Sequence, residues 1–511
     1  MKKILLWDMR QPGANPARLE IDDAIASACV RAGVATAADP AEAGALGAGA
    51  PIDPANPTEI VIWSGVAKRV RRVVVPSAVA ALALAAGVAV LPGGAVTAGG
   101  VPAPVKSWQI IGQYNDTGIG PQVTNSITVR ALTTQRAKLA ANNVTALRCY
   151  GQAYYVGGSG GLEIGVGNDI PTRAAALRGS TLLGISPSPA VVPNGSGATL
   201  VAEITGLSLA AGDVLDLQKE RVLTSGQQSV QTIPYAAGTL PPGVGRRADD
   251  GSAASVLGTA NPSGLSAGTL EGGIWLAYGE HPTYTFGGLT DSIYYNNTDS
   301  ALGDGGLIGA EGRTAEGGGM LRRGFRAAAL ATGIETPLLM MGRPTAQLSV
   351  YRANNTARRQ KYPFFNTLIL QPFTNDFDTS AGNKTVEQIR VISEAEAADY
   401  IAAYEAGPNG GIIPCRVLIA LPLPRGANVG ALTTTQQRIS DFVGLVKAGG
   451  VANIAGYYDV NSVFSIPGEP GRIANPAQFN ADLLHPAPLG HADGSAYYSA
   501  MLQQPIPWIP L

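Results

Sequence analysis

The C-terminal part of the chain has short, continuously apolar runs that alternate with stretches of helical periodicity. The apolar runs are TYTFGGL, PLLMM, FNTLILQPF, CRVLIALPL and ANIAGYYDV, and helical patterns cover residues 313–333, 345–360, 386–407, 433–450 and 494–504. Strands that are apolar at every position are typical of a parallel sheet covered on both faces. The pattern predicts a doubly wound α/β domain over residues 281–511.

Residues 106–280 have a different pattern. Short, partly alternating strands such as SWQIIGQY, VTALRCYGQAYYV, ATLVAEITGLSL and DVLDLQKERVL are separated by turns rich in Gly, Pro and Asn. Regular short strands with this punctuation predict a β-sandwich or jelly roll.

The N-terminal region predicts a small α/β unit over residues 1–63. Residues 4–7 and 58–63 are strand candidates, and residues 18–34 have apolar positions at helical spacing, among them Ile21, Ile25 and Cys29. Residues 64–105 are predicted to be an Ala/Val/Gly-rich connecting segment. This segment begins with the basic cluster Lys68, Arg69, Arg71 and Arg72, which we interpret as a solvated or partner-facing patch.

The apolar stretch 73–96 is long enough to cross a bilayer, but it consists mostly of Ala, Val and Gly and contains Pro76 and Pro92. We therefore expect no transmembrane span there and interpret it as a buried segment or an oligomer interface. The apolar run at the N-terminus ends before Asp8 and is too short for a secretory signal. No cleavable signal peptide is therefore predicted.

Composition narrows the possible partners. Charged residues make up 14% of the 511 residues and the net charge is −1, so no general field attracts nucleic acid or an anionic membrane. Three cysteines lie far apart, and only three histidines occur. These numbers predict no disulfide framework, no metal site and no cofactor.

Three short motifs follow predicted strands at the edge where α/β sheets place their active sites. Thr290-Asp291-Ser292 follows the first strand, Asn375-Asp376 follows the third, and Asp482 stands three residues before His485 near the C-terminus. Each motif alone is an ordinary turn or helix cap. Together they supply a hydroxyl nucleophile, a base and a carboxylate that can orient the base.

The order and spacing of these motifs resemble the SGNH hydrolases, or GDSL esterase/lipase family. That family has Gly-Asp-Ser after the first strand, a Gly after the second, GxND after the third and DxxHP near the C-terminus. The resemblance implies that Ser292 is the nucleophile, His485 the base and Asp482 its orienting partner. It also implies that an oxyanion hole is built from the backbone N–H groups of Ser292 and Gly342 and the side-chain amide of Asn375.

The sequence departs from the family pattern at two positions. The Gly before Asp-Ser is Thr290, and the Gly of GxND is Phe373. Both family glycines favour a tight turn and a close backbone approach, so the replacements narrow the pocket or mark a degenerate site. We expect Asp291 and Asp376 to organise the loops rather than to react.

Other candidate residues lack a supporting context. Residues 157–161 match G-x-S-x-G but lie in a Gly-rich turn between β-strands and not at a strand-to-helix elbow. We interpret His281 as structural and His491 as surface or structural. Asp299 and Asp304 lack the spacing of a calcium loop and are interpreted as turn residues.

The region before the α/β domain more loosely resembles the β-sandwich of some bacterial GDSL-type esterases, which implies a carbohydrate-binding or packing role. The expected function is hydrolysis of O-acyl, in particular O-acetyl, esters of a carbohydrate or cell-surface polysaccharide. The alternative is a structural virion or adhesion protein with a degenerate, glycan-binding domain. We expect a homo-oligomer or part of a larger assembly such as a bacteriophage virion, located on the virion or outside the cell, with the bacterial cytoplasm as the alternative.

Overall fold

A computed structural model describes the chain in segments. The described residues are 2–6, 17–21, 35–37, 57–64, 69–76, 89–90, 106–115, 120–123, 130–157, 162–231, 245–252, 254–265, 273–281, 284–291, 319–342, 346–354, 356–371, 374–410, 412–426, 431–504 and 507–510. They form two compact units. Unit 1 comprises residues 1–105, 452–457 and 504–511, and unit 2 comprises residues 106–451 and 458–503.

Unit 1 consists of short strands where it is described. Its first six strands are β1 (Lys2–Leu6), β2 (Ala17–Ile21), β3 (Ala35–Ala37), β4 (Pro57–Ser64), β5 (Arg69–Pro76) and β6 (Ala89–Val90). They form two antiparallel sheets with the orders β2-β1-β3 and β5-β4-β6. Strands β4 and β5 pair over eight residues across the predicted boundary at 63/64, and most of the basic cluster lies on β5.

The prediction of an N-terminal helix is wrong over residues 18–21, the part of it that the structure describes. Residues 18–21 belong to β2, which pairs with β1 in antiparallel register, Leu19 opposite Ile4. In this stretch Leu19 and Ile21 alternate with Arg18 and Glu20, a period of two that fits a strand. The remainder of the predicted helix lies outside the described residues.

The first part of unit 2 contains strands that pair antiparallel, with the exception of β8. They are β7 (Lys106–Ile110), β8 (Gln113–Asn115), β9 (Gly120–Val123), β10 (Arg130–Lys138), β11 (Asn142–Gly151), β12 (Tyr154–Gly157), β13 (Leu162–Gly165), β14 (Ile170–Arg178), β15 (Thr181–Ile185), β16 (Ala190–Val192), β17 (Thr199–Leu209), β18 (Val214–Val222), β19 (Gln228–Gln231), β20 (Gly245–Asp249) and β21 (Ile274–Glu280). One sheet has the order β15-β14-β18-β10-β20, with β16 also on β14, and a second has the order β17-β11-β21-β7. The two sheets touch, since a Cβ on Gly184 of β15 would lie 2.6 Å from Ile204 of β17.

One predicted strand of this region serves two sheets. The run SWQIIGQY divides at Gly112, whose φ of 74° is in the left-handed region that favours glycine. Before this point β7 pairs antiparallel with β21, and after it β8 pairs parallel with a strand of the α/β sheet.

The predicted α/β domain lies in unit 2, except for residues 452–457 and 504–511, which belong to unit 1. In chain order its elements are β22 (Phe286–Leu289), α1 (Met320–Thr332), β23 (Leu338–Met340), α2 (Leu348–Asn354), a 3-10 helix (Arg358–Phe364), β24 (Thr367–Leu370), α3 (Thr374–Phe377), α4 (Val386–Glu405), β25 (Arg416–Ala420), α5 (Thr434–Lys447), β26 (Gly456–Tyr458), α6 (Asn461–Phe464), β27 (Ser465–Ile466), β28 (Glu469–Ile473), a second 3-10 helix (Pro476–Gln478), α7 (Pro488–Leu502) and β29 (Ile509–Pro510). Strands β8, β23, β22, β24 and β25 lie side by side in this order and pair in parallel. In unit 1, β26 pairs antiparallel with β29, Tyr457 opposite Ile509.

Local sequence explains where two of these helices begin, and small residues explain how two others pack. Thr385 and Thr433 each form a capping box with the Gln three residues later, so α4 and α5 begin where their free N–H groups find acceptors. Helices α1 and α7 approach closely because Gly324 and Gly494 carry no side chain. A Cβ on Gly324 would lie 2.4 Å from Tyr498, and one on Gly494 would lie 2.7 Å from the sulfur of Met320.

The predicted helix over 345–360 is interrupted. Helix α2 ends at Asn354, and a 3-10 helix starts at Arg358. The new start depends on Glu163, whose carboxylate accepts the N–H groups of Thr356, Ala357 and Arg358 at 2.7–3.1 Å. An acceptor so distant along the chain leaves no trace in the local pattern.

The strand cores are apolar. Phe286 of β22 packs edge-on against Phe325 of α1, with ring centroids 5.0 Å apart. Leu338, Ile369 and Leu418 on the neighbouring strands are fully buried. Within the described residues, every helix is too short or too polar to cross a membrane.

Candidate active site

The strand order opens a crevice at one edge of the parallel sheet. Strand β22 is flanked by β23 on one side and β24 on the other. Doubly wound proteins bind ligands outside the carboxyl ends of the strands where the order reverses in this way. Thr290 and Asp291 follow β22, Gly342 follows β23 and Asn375 follows β24, so these predicted positions share the crevice.

Asp291 ties the first loop to the third. Its backbone N–H donates to Gln371 Oε1 at 2.9 Å, and its carboxylate accepts the N–H of Thr374 at 2.9 Å. The side chain is almost completely buried, so it fixes the loop instead of contacting a substrate. This is the organising role expected from the sequence.

Asp376 fixes the second loop. Its carboxylate accepts the backbone N–H groups of Leu348 and Ser349 and the Ser349 hydroxyl at 2.5–3.2 Å, so it caps helix α2. Burial raises the pKa of Asp376 above its ordinary value, although the hydrogen bonds from Ser349 and Leu348 act against this. Asp376 therefore also organises the loops.

Asn375 is less enclosed than Asp376. The side chain is half-buried, and its amide nitrogen donates to Ala346 O at 3.1 Å. A primary amide carries two N–H groups, and one bond to Ala346 uses one of them. Within the described residues the second N–H has no acceptor.

Gly342 and Thr290 are in close contact. A Cβ on Gly342 would lie 2.1 Å from Thr290 Oγ1 and 3.0 Å from Thr290 O, so only glycine fits here. Both residues are buried. Among the described residues, Thr290 Oγ1 has no hydrogen-bond partner, and the Gly342 N–H donates to none.

Asp482 and His485 form a pair. His485 Nδ1 lies 2.7 Å from Asp482 Oδ2, and the other carboxylate oxygen accepts the backbone N–H groups of Leu484 and His485 at 3.0 Å. Burial would raise the pKa of Asp482, but the hydrogen bonds from His485 and Leu484 hold it below its ordinary value. The turn contains Leu483 with a φ of 49°, a strained conformation that brings the two side chains together.

Two contacts connect this pair to the sheet edge. The Gly426 N–H, in the loop after β25, donates to Leu483 O at 3.0 Å. The adjacent Arg425 forms a 2.8 Å ion pair with Asp378, which follows helix α3. The Asp482–His485 turn is therefore joined through the β25 loop to the loop that carries Asn375.

Ser292 and Phe373 lie outside the described residues, as do Ser159, Asp299 and Asp304. The catalytic and oxyanion roles of Ser292, Asp482, His485, Gly342 and Asn375 stay predictions.

The two remaining histidines are structural. His281 Nε2 donates to Ala277 O, 2.8 Å away, and burial lowers the pKa of His281 to about 4. His491 is fully buried in α7, not at the surface. Strands β12 and β13 form the antiparallel hairpin expected around the G-x-S-x-G sequence. Within the described residues, no group of His, Cys, Asp or Glu could hold a metal ion.

Three organising residues were not predicted from the sequence. Gln371 and Thr374 bracket the third loop, and Arg425 connects it to the fourth. Gln371 is a polar residue directly after the apolar strand β24, and Arg425 stands five residues after β25; a polar residue after an apolar strand is a signal for this edge of a parallel sheet. Thr374 contributes a backbone N–H, which any residue type could supply.

The comparisons with known proteins gave remote structural resemblances. A lipase, Lip_vut3, from a goat rumen metagenome is 16% identical, with 42% of this chain and 96% of that chain covered and a TM-score of 0.30. A catalytic mutant of an acetylxylan esterase from Geobacillus stearothermophilus is 12% identical, with 43% and 94% covered and a TM-score of 0.32. An active-site mutant of a family two carbohydrate esterase from Clostridium thermocellum is 10% identical, with 76% and 99% covered and a TM-score of 0.29. No protein-family model matches the chain, and no curated protein matches it.

Proposed function

We propose that the chain is a serine esterase of the SGNH type that hydrolyses O-acyl esters, in particular O-acetyl esters of a carbohydrate. The observation that carries this proposal is the Asp482–His485 pair, with 2.7 Å between Oδ2 and Nδ1. The DxxHP turn that holds the pair is joined to the crevice edge at which Gly342 and Asn375 lie.

The pair defines the proton path. The Asp482 carboxylate accepts a hydrogen bond from the Nδ1–H of His485, so the neutral imidazole carries its basic lone pair on Nε2. In the proposed reaction Nε2 takes the hydroxyl proton of Ser292 as its Oγ attacks the acyl carbon. Asp482 stabilises the imidazolium that forms. Nε2 then gives the proton to the leaving alcohol oxygen, and a water molecule releases the acid from Ser292 by the same two steps.

The developing oxyanion requires hydrogen-bond donors that are already in place. Two donors are available at the crevice edge, the Gly342 N–H and the second amide N–H of Asn375. The Ser292 N–H is the third proposed donor. The acetyl group and the carbohydrate alcohol in this proposal come from the family resemblance of the motifs.

A second candidate is a glycan-binding domain without turnover. The observation that favours it is Thr290, whose buried Oγ1 presses against Gly342 at the position where the family has glycine. The two candidates differ in whether Ser292 acts as a nucleophile or only contributes to the shape of the binding site.

Hydrolysis of p-nitrophenyl acetate by the wild type and by Ser292→Ala and His485→Ala tests the proposal. We expect both variants to lose at least about 10³-fold in kcat. Release of acetate from acetylated xylan, compared with hydrolysis of p-nitrophenyl octanoate, tests the substrate class. A wild type no faster than Ser292→Ala would contradict the esterase and leave the glycan-binding candidate.

A further inference from the structure

A buried ion pair connects the antiparallel part of unit 2 to the α/β part. Glu163 of the β12–β13 hairpin accepts Arg358 Nε at 2.8 Å, and the side chains are 5% and 0% exposed. Glu163 also accepts the three backbone N–H groups at the start of the 3-10 helix. The Glu163 carboxylate thus accepts four hydrogen bonds from residues 356–358, which fill its four acceptor sites.

Arg358 reaches from this pair to the crevice. Its Nη1 donates to Met341 O at 3.2 Å, at the end of β23. The guanidinium also lies 4.5 Å from the ring centre of Tyr351, which covers one face. A guanidinium is planar, so the bond to Glu163 and the contact with Tyr351 fix the direction of the bond to Met341.

Met341 O and the Gly342 N–H belong to one peptide group. In a planar trans peptide the C=O and the N–H point in opposite directions, so holding the oxygen also aims the N–H. The Met341 N–H donates to Gly288 O at 2.8 Å, which holds the other end of the residue. A donor on the carbonyl also polarises the amide and strengthens its N–H as a donor.

We propose that Arg358, oriented by Glu163, is a positioning residue that aims and polarises the Gly342 N–H toward the oxyanion. The antiparallel hairpin thereby contributes to the rate of the reaction, in addition to any role in binding. This inference rests on the proposed esterase function.

A neighbouring residue offers a matched control. Gln360 Oε1 accepts the N–H groups of Gly197 and Ala198 at 2.9 and 3.0 Å, so it fastens the same 3-10 helix to the antiparallel part. Gln360 is exposed and makes no bond to Met341. Gln360→Ala therefore loosens the same junction without touching the proposed link.

The experiment compares Arg358→Met, Arg358→Lys, Glu163→Gln and Gln360→Ala in the full chain. For Arg358→Met we expect kcat for p-nitrophenyl acetate to fall roughly 10- to 100-fold, with KM within about twofold, because a misaimed donor weakens only transition-state contacts. Arg358→Lys keeps the charge but cannot hold both partners, so it recovers part of the rate. Glu163→Gln should lower kcat less than Arg358→Met, and the double variant should match Arg358→Met because the two residues act in one chain.

A second readout separates positioning from general loosening. A short-chain alkylboronic acid forms a tetrahedral serine adduct that places an oxygen at the oxyanion position. Its Ki should rise across the Arg358 and Glu163 variants in proportion to the fall in kcat/KM, and Gln360→Ala should leave both within about twofold.

Three results would overturn the inference. The first is that folded Arg358 variants have a kcat near that of the wild type while Ser292→Ala is inactive, which would leave the esterase proposal in place. An equal loss in Gln360→Ala would assign the effect to the junction as a whole. A wild type indistinguishable from Ser292→Ala would remove the esterase proposal and this inference with it. If Arg358→Met does not fold, Arg358→Lys and Glu163→Gln decide by the same criteria.

Discussion

The buried hydroxyl of Thr290 offers a test of the site that does not depend on turnover. Thr290 is fully buried at the end of β22, and among the described residues its Oγ1 has no hydrogen-bond partner. Thr290→Val replaces this oxygen with a methyl group of similar size. The prediction is that the substitution raises the thermal stability of the protein.

The magnitude follows from the two groups exchanged. A buried hydroxyl without a partner costs roughly 1–3 kcal/mol, and a buried methyl contributes about 0.8 kcal/mol. The contact with Gly342 leaves little space, which offsets part of the gain, so we expect about 1–2 kcal/mol. Unit 2 has about 390 residues. At roughly 2.1 cal/mol/K per residue, the expected rise in Tm is about 1–2.5 °C.

Differential scanning calorimetry of the intact chain measures this shift, and Thr367→Val is the matched control. Thr367 on β24 is equally buried, but its Oγ1 donates to Asn366 Oδ1 at 3.0 Å. Losing that bond should lower Tm by about the same 1–2.5 °C, since a made buried hydrogen bond is worth roughly 1 kcal/mol or more. A fall in Tm for Thr290→Val similar to that of Thr367→Val would refute the reasoning.

Three further predictions concern the carboxylates and a thiol. Asp482→Asn keeps the shape of the side chain but favours the wrong tautomer of His485. It should therefore lower kcat by about 10²- to 10⁴-fold in the p-nitrophenyl acetate assay. A loss under tenfold would contradict the proposed role of Asp482 in orienting His485. Burial would raise the pKa of Asp378, but hydrogen bonds from Ser380 and the ion pair with Arg425 hold it below 3.8. The stability that Asp378 contributes is therefore present above pH 3.8 and is lost as the pH falls through the lower pKa of the folded state. Asp378→Asn should make the fall in Tm below pH 4 less steep. An unchanged dependence of Tm on pH would contradict this. Burial raises the pKa of the Cys149 thiol to about 12. In a Cys29→Ser/Cys415→Ser background, the native protein should therefore not react with a disulfide reagent at pH 8 until it is unfolded. Labelling of the native protein within minutes would contradict this.

The strand and helix order of the α/β part could be predicted because its signals are local. Each apolar run from TYTFGGL to ANIAGYYDV contains a strand, and Thr385 and Thr433 carry the capping residues of their own helices. The Asp482–His485 contact was equally accessible, since two residues three apart in one turn meet without help from elsewhere in the chain.

The remaining features depend on partners distant in sequence. The break after α2 requires Glu163, which is 193 positions away from Thr356. The division of SWQIIGQY between two sheets depends on pairing with β21 and β23, which the local alternation does not encode. Near the N-terminus, residues 18–21 pair with β1, a partner that the local spacing of apolar residues does not indicate.

The same distinction applies inside the candidate site. The side chains proposed to react lie in motifs of two to five residues, because proton transfer requires only that a base and its partner meet. Two of the three proposed oxyanion donors are backbone N–H groups, so their direction is set by whatever holds the adjoining carbonyls. At Gly342 that carbonyl is held by Arg358, which is in turn held by Glu163. If the chain is the proposed esterase, a substitution in the antiparallel region, which no motif includes, should lower its rate with every motif residue intact.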